Sequence, residues 1–321
     1  MSNNDILLSV AVITYNQEKT ISKTLDSILE QEHDYPYEII VGDDCSVDGT
    51  KSIIEDYVLR YPKIVKAIYN KENMGLIKNY YNVISNCSGK YIMECAGDDW
   101  WLPGKVKTQI EFMENHNDVG MCYCQAKVWI ERKKIYYENL IGEHFRSYDD
   151  MLKVNIVPAL SVCLKKELVN AYIREIKPIE RGWLTEDYPM WLWFFKNTKV
   201  EFIEKGLVVY RELEESASHS KDCDKILAFE RSRYEIQTFF AKRYNGICPV
   251  WDEDRTRFNL YYAKLFENYE PMFVEKLNKV YAQLENKSFR EKLIHCISLY
   301  KIVFILHKKI LRLFPFKSRT K

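Results

Sequence analysis

Several things are missing from this chain of 321 residues. It has no excess of either charge: 47 Lys and Arg face 46 Asp and Glu, for a net charge of +1, so no global field draws it to nucleic acid. Its nine cysteines (Cys45, Cys87, Cys95, Cys122, Cys124, Cys163, Cys223, Cys248 and Cys296) are scattered and odd in number, with no C-x-x-C. A zinc site or a disulfide framework would group them more tightly, so they read as reduced thiols of a cytosolic protein. No apolar run approaches the roughly 20 residues needed to span a bilayer. The run ILLSVAVI follows Asp5 rather than a basic residue and precedes no small-residue cleavage site, so no signal peptide is predicted. Neither G-x-x-x-x-G-K-[ST] nor G-x-G-x-x-G follows the first strand, so glycine-rich backbone amides are not the main device for holding a phosphate. No internal repeat and no low-complexity segment is present.

What is present is apolar and aromatic: 47% hydrophobic residues, with 15 Phe, 23 Tyr and 7 Trp, enough for a large core. The first part alternates short apolar runs with helical periodicity. LLSVAVITY (7–15), YEIIVGDD (37–44), IVKAIYN (64–70) and KYIMECA (90–96) read as strands. Between them, Ile21, Leu25, Ile28 and Leu29 fall on one helical face, as do Ile53, Ile54, Tyr57 and Val58, and then Ile77, Tyr80, Tyr81 and Ile84. This alternation predicts βαβ units, hence an α/β fold with a mostly parallel sheet covered by helices. Further on, 105–116 reads as a helix, 119–130 and 159–164 as strands, and 187–196 as an aromatic-rich helix. Residues 199–211 read as two short strands around Gly206. After Asp222 the signals are nearly all helical. The expected division is a domain over 1–220 and a helical extension over 221–321.

In open parallel sheets ligands bind beyond the carboxyl ends of the strands. Three such ends are polar or acidic here: TYNQE, DDCSVDGT and AGDD. The last continues into two tryptophans, AGDDWW. Asp98 and Asp99 could form a turn and cap the following helix. One Asp would suffice for a cap. Two, after a small Ala-Gly that lets a ligand approach, point to a divalent cation bridging carboxylates to substrate phosphates. Asp43–Asp44 could likewise be a turn with Asp48–Gly49, though a binding role is favoured.

Four segments, VAVITYNQEKTISKTLDSILEQ, EIIVGDDCSVDGT, NKENMGLIKNYYNVISNCSGKYIMECAGDDWW and LTEDYPMWLWF, occur in an order and spacing similar to the family 2 inverting glycosyltransferases of the GT-A fold. The resemblance covers about residues 7–220. It implies a nucleotide-diphosphate-sugar donor, a divalent metal (Mn²⁺ or Mg²⁺) and inversion at the anomeric carbon. Carried over, it places Thr14 and Tyr15 at the nucleobase, Asp44 on a uracil-type base edge, and Asn73, Gly75 and Lys78 on the donor. Relatives often carry Arg near the Lys78 position. Asp98 and Asp99 match the D-x-D-like motif, Asp98 facing ribose or metal and Asp99 as the main metal ligand. Asp187 in TEDYPMWLW matches the base that takes the acceptor's proton, with Glu186 beside it for acceptor binding or as a substitute base. Asp187 also suits a helix cap, and both roles are compatible. His219, in a downstream segment, is a candidate third ligand.

Trp100 and Trp101 flank the metal site, and Trp183 and Trp191 the base. Sugars present flat C–H faces that pack on such rings. One of Trp100 and Trp101 is expected to touch sugar or acceptor, and at least one of each pair to be core. The acceptor would be a glycan or lipid-linked glycan, in a setting similar to bacterial surface polysaccharide assembly. The C-terminal stretch has no Asp or Glu after Glu291, and its apolar face is interleaved with Lys301, Lys308, Lys309 and Arg312. It reads either as a packed terminal helix or as a peripheral contact with the inner face of the cell membrane. Rival readings are a catalytically inactive nucleotide-sugar-binding scaffold and a nucleotidylyltransferase. TYNQEKT lacks the glycine the latter needs.

Overall fold

The computed structural model describes residues 6–213 and 222–313. The first part alternates as expected: β1 (Leu8–Thr14), α1 (Ile21–Leu29), β2 (Tyr37–Asp43), α2 (Thr50–Arg60), β3 (Val65–Tyr69), α3 (Leu76–Asn86) and β4 (Tyr91–Ala96). Then come β5 (Trp100–Trp101), α4 (Lys105–Asn115), β6 (Val119–Ile130), β7 (Ile135–Tyr136), α5 (Tyr148–Lys153), β8 (Val162–Lys165), α6 (Lys166–Ile176), α7 (Tyr188–Asn197) and β9 (Lys199–Glu212). Helices α8 (Cys223–Tyr244), α9 (Glu253–Glu267), α10 (Pro271–Gln283), α11 (Phe289–Ser298) and α12 (Lys301–Leu313) complete the described chain.

The strands form one sheet in the order β3-β2-β1-β4-β8-β6-β9-β5, with β7 added to β6. The β3-β2-β1-β4 half is parallel. Strand β8 runs antiparallel between β4 and β6, and β5 and β7 add antiparallel edges. The continuous apolar runs are explained by burial on both faces. Along β1, Val10 and Val12 enter one core cluster with Ile21 and Leu25 of α1, Ile54 of α2 and Ile110 of α4. The intervening Ala11 enters the opposite cluster, with Tyr80 and Tyr81 of α3, Trp191 and Phe194 of α7, and Phe240 of α8. Each fully buried Leu or Ile contributes roughly 1.5–3 kcal/mol, so this two-sided packing is the main support of the strand ends.

One expectation needs correction. Residues 199–212 are one strand, not two. Gly206 sits where the β6–β9 register shifts, between Cys124–Ile203 and Ala126–Val208, so the glycine marks a bulge and the ladder resumes beyond it. Trp100 and Trp101, to which the sequence assigned no element, pair antiparallel with Val209 and Val208.

Residues 6–213 and Ser232–Pro249 form one compact unit, which therefore takes the C-terminal half of α8 beyond the expected boundary at 220. Residues 222–231 and 250–313 belong to a second, helical unit, whose core gathers Phe258, Tyr261, Leu265, Leu277, Val280, Ile294 and Phe304. Among the described residues no helix is long and apolar enough to cross a membrane.

Candidate active site

The parallel sheet brings three of the predicted strand ends together. The Asp44 amide donates to the Thr14 carbonyl (3.0 Å), and the Gly97 amide donates to the Ile13 carbonyl (2.9 Å). Thr14 and Asp44 are buried, while Tyr15 at the mouth is 45% exposed. Gly97 has to be glycine: a Cβ there would lie 2.4 Å from the Gln17 side-chain oxygen and 2.8 Å from Thr14 Oγ1.

The Asp98–Asp99 turn does not cap α4. That helix begins after Gly104, a left-handed residue with no side-chain cap. The turn is held from α1 and β9 instead. Thr20 Oγ1 donates to the Gly97 carbonyl (2.9 Å) and Thr24 Oγ1 to the Asp99 carbonyl (2.6 Å). The Arg211 amide donates to Asp99 Oδ1 (2.7 Å), and the Arg211 Nε donates to the Asp98 carbonyl (2.6 Å). Asp99 is only 5% exposed. Burial, then the charge of Asp98, pushes its carboxyl well above the ordinary range, and Asp98 is raised by burial as well. Two adjacent carboxylates in this state are the kind of site a cation relieves. Among the described residues no group of three His, Cys, Asp or Glu gathers into a metal cluster. His219 lies outside the described residues.

Asp44 has a structural task that the sequence did not reveal. Its Oδ1 accepts from Asn70 Nδ2 (2.9 Å) and from the Met74 amide (2.8 Å), and its Oδ2 from the Gly75 amide (2.8 Å). It thereby fixes the loop that leads into α3, where Gly75 adopts φ 83°. Asn73 on this loop and Lys78 in the first turn of α3 are exposed. A carboxylate offers about four lone-pair sites, so roughly one remains for a ligand N–H.

Asp187 is the N-cap of α7. One oxygen accepts from the Tyr188 amide (2.6 Å) and the other from Asn155 Nδ2 (3.0 Å). Burial raises its carboxyl nonetheless. Glu186 is raised by burial and by Asp187 beside it. The Tyr81 hydroxyl donates to the Glu186 carbonyl (3.3 Å) and lies 3.3 Å from the Tyr172 hydroxyl. A further acid, Glu94 in the middle of β4, belongs to this group. It is buried, takes the Tyr80 hydroxyl, and is pushed up to about 8, chiefly by burial and then by Asp187. Sequence reasoning missed Glu94, Asn155 and Arg211. The one available signal was a lone Glu inside an otherwise apolar central strand.

The four tryptophans are all buried. Trp101 and Trp191 are core residues, and Trp183 packs edge-on to Phe239. Trp100 carries the Lys23 ammonium 3.3 Å from its ring centre on one side and the Arg211 guanidinium at 4.8 Å. Of Trp100 and Trp101, one of which is expected to meet substrate, Trp101 faces the core.

A mixed, mostly parallel sheet flanked by helices, with acidic residues at its strand ends, is the architecture of the GT-A glycosyltransferases. The comparisons agree. Residues 9–163 match the model described as "Glycosyl transferase family 2", and this segment is a family 2 glycosyltransferase domain. An uncharacterized protein of Mycobacterium tuberculosis is 32% identical over 163 residues, 50% of this chain and 47% of the relative. The putative teichuronic acid biosynthesis glycosyltransferase TuaG of Bacillus subtilis is 28% identical over 52% of this chain and 65% of its own length. WfgD of Escherichia coli, named as a UDP-Glc:α-D-GlcNAc-diphosphoundecaprenol β-1,3-glucosyltransferase, is 25% identical over 68% of this chain and 82% of its own. The chain thus spans about half the length of the mycobacterial relative. In fold, it resembles S. aureus TarS in complex with UDP-GlcNAc (TM-score 0.52, 17% identity, 97% of this chain and 93% of that one). It also resembles a mannosyltransferase of Pyrobaculum calidifontis in complex with GDP-Man and Mn²⁺ (TM-score 0.50, 16% identity, 96% and 87%).

Proposed function

We propose that the chain is a metal-dependent, inverting glycosyltransferase. It moves a sugar from a nucleotide diphosphate, UDP-linked by preference, to a hydroxyl of a glycan or lipid-linked glycan. One observation carries this reading. A family 2 domain carries a carboxylate pair beyond the end of β4, Asp98 half-buried and Asp99 buried, and the same unit holds an acid fixed by two hydrogen bonds at the start of α7. The names of WfgD and the ligands of the two structural neighbours support the donor and acceptor classes.

Asp98 and Asp99 fit a hard divalent cation of the Mg²⁺ or Mn²⁺ kind. Such ions take one or two protein carboxylates and complete their shell with substrate phosphates and water, so no third protein ligand is required. When bound, the cation would neutralise charge on the departing diphosphate as a Lewis acid. The chain's own residues do the rest. Thr14, Tyr15 and the remaining acceptor site of Asp44 face the nucleobase; Asn73, Gly75 and Lys78 border the donor. Asp187 accepts the proton of the attacking hydroxyl. Its two hydrogen bonds fix the carboxylate's orientation, and its raised affinity for a proton makes it a better base than an exposed Asp. Glu186, raised beside it, is available to donate a hydrogen bond to the acceptor.

Peripheral membrane contact is part of this reading. Phe304 buries one side of α12 in the core of the helical unit, while Ile302, Val303 and Leu306 are exposed by 76, 46 and 54%. Lys301, Lys308 and Lys309 line a cavity of about 330 Å³ on the same helix, beside Tyr269. This combination suits an anionic lipid interface.

The test is thermal shift and turnover with UDP-sugars and Mn²⁺. The unmodified chain should be stabilised by nucleotide only with metal. Asp99→Ala should lose that shift. Asp187→Asn should keep it while transfer falls about 10²–10⁴-fold. Full transfer by Asp187→Asn would remove it as the base.

A further inference from the structure

The register of the sheet places a row of side chains on one face of its last strands. Trp100 pairs with Val209, Val209 with Lys127, Arg211 with Trp129, and Trp129 with Tyr136. Paired residues project to the same face. Trp101, Val208 and Ala126 take the other face and enter the core with α1 and α4. Trp100, Trp129 and Tyr136 belong to neither of the two main core clusters.

The contacts along the row are continuous. Trp100 meets Trp129 edge-on (centroids 6.4 Å apart), and Trp129 meets Tyr136 edge-on at 5.0 Å. Lys127 Nζ lies 5.9 Å from the Tyr136 ring centre. Exposure rises outward, from 5% at Trp100 to 48% at Tyr136. A polar chain underlies the row. Trp129 Nε1 donates to Glu131 Oε2 (2.8 Å), which also accepts from the Arg211 guanidinium (2.6 Å), and Arg211 holds the Asp98–Asp99 turn. The row therefore starts at the metal carboxylates and ends in solvent.

We propose that Trp129 and Tyr136 form an acceptor subsite for an extended glycan, engaging a sugar ring beyond the one that reacts. This rests on the glycosyltransferase reading above. Three features select this occupant. An aromatic face with hydrogen-bonding neighbours, here Lys127 and Glu131, suits a pyranose, whose flat C–H face stacks while its hydroxyls find polar partners. Charges of both signs, Lys127 and Glu131, flank the rings, which suits neutral hydroxyls that can both donate and accept better than a ligand of one charge. And the row is joined by hydrogen bonds to the site where the acceptor hydroxyl must react. The subsite gives specificity for acceptors of two or more sugars, because Trp129 and Tyr136 stand one and two ring contacts beyond Trp100, at 6.4 Å and then 5.0 Å between centroids.

The experiment uses the full chain. Binding to an array of oligosaccharides of two to six pyranoses is measured for the unmodified protein, Tyr136→Ala and Tyr136→Phe. Molar mass in solution and the UDP–Mn²⁺ thermal shift are measured alongside. Tyr136→Ala should weaken glycan binding about tenfold, and Tyr136→Phe, which keeps the ring, should retain it. Nucleotide binding and molar mass should not change. The proposal is overturned if the unmodified chain binds no glycan on the array or if Tyr136→Ala binds as well as the unmodified chain. It is overturned equally if Tyr136→Ala changes molar mass, which would make this face a contact between copies. Loss of the UDP–Mn²⁺ shift in the unmodified chain would count instead against the glycosyltransferase reading.

Discussion

Glu94 shows how a single residue shapes the site. It stands in a strand whose neighbours Met93 and Cys95 are fully buried, and its carboxyl is held up to about 8 by burial and the nearby Asp187. Tyr80 on α3, Asp187 ahead of α7 and Lys105 on α4 are the groups that act on it. Because its folded value lies above its unfolded value of 4.5, the folded chain keeps this proton while the unfolded chain releases it. Stability from this group is therefore highest below about pH 4.5 and declines as pH rises towards 8. The total decline is on the order of 4 kcal/mol. Glu94→Gln, which keeps the shape and a partner for Tyr80, should match the unmodified protein near pH 4.5. At pH 8 it should exceed it by about 2–4 kcal/mol in urea unfolding. Equal pH dependence in the two proteins would contradict this. For Asp187 as the proposed base, the same reasoning predicts an acid limb of transfer above the ordinary Asp range, because a base must be ionised and burial raises this carboxyl. In the sequence, Glu94 reads only as an interruption of an apolar run, since neither Tyr80 nor Asp187 is its neighbour in the chain.

Among the elements, the loop between β3 and α3 depends on β2. Asp44 takes three hydrogen bonds from Asn70, Met74 and Gly75, so it organises this loop in addition to the base-edge contact proposed for it. Asp44→Ala should lower stability without any nucleotide present by about 1–3 kcal/mol, because partly buried N–H groups lose their acceptor. If its only role were to read the base, urea unfolding of the free protein would not change. Element positions in this half were legible because Ile21, Leu25 and Ile28, then Ile54 and Tyr57, lie on helical stripes that bury as expected. The second half was less legible. Strand β9 continues through Gly206, and β5 is two residues long, too short to show a period. Both owe their form to pairing with a distant strand, which local periodicity does not record.

For the whole molecule, charge placement matters more than charge balance. The net charge is +1, yet α12 carries lysines and exposed aliphatics and no acid. Phe304 is needed in the core of the helical unit, so truncation before α12 would damage that core. The exposed side is better tested by Ile302→Asp with Leu306→Asp. The unmodified chain should float with anionic vesicles, and the double variant should float several-fold less with an unchanged melting temperature. Equal flotation would exclude α12 as the contact.

By itself, the sequence determined the α/β alternation, the acidic strand ends and the family, because all three are written in short contiguous segments whose spacing reflects local geometry. It also singled out Asp98, Asp99 and Asp187 as candidates. Tertiary structure alone decided what holds them. Arg211 reaches Asp99 from 112 residues away, Thr24 reaches it from 75, and Asn155 reaches Asp187 from 32. It also decided that Trp101 faces a core while Trp100 begins a row leading to solvent, because adjacent residues in a strand point to opposite faces and only pairing with β9 shows which face is which.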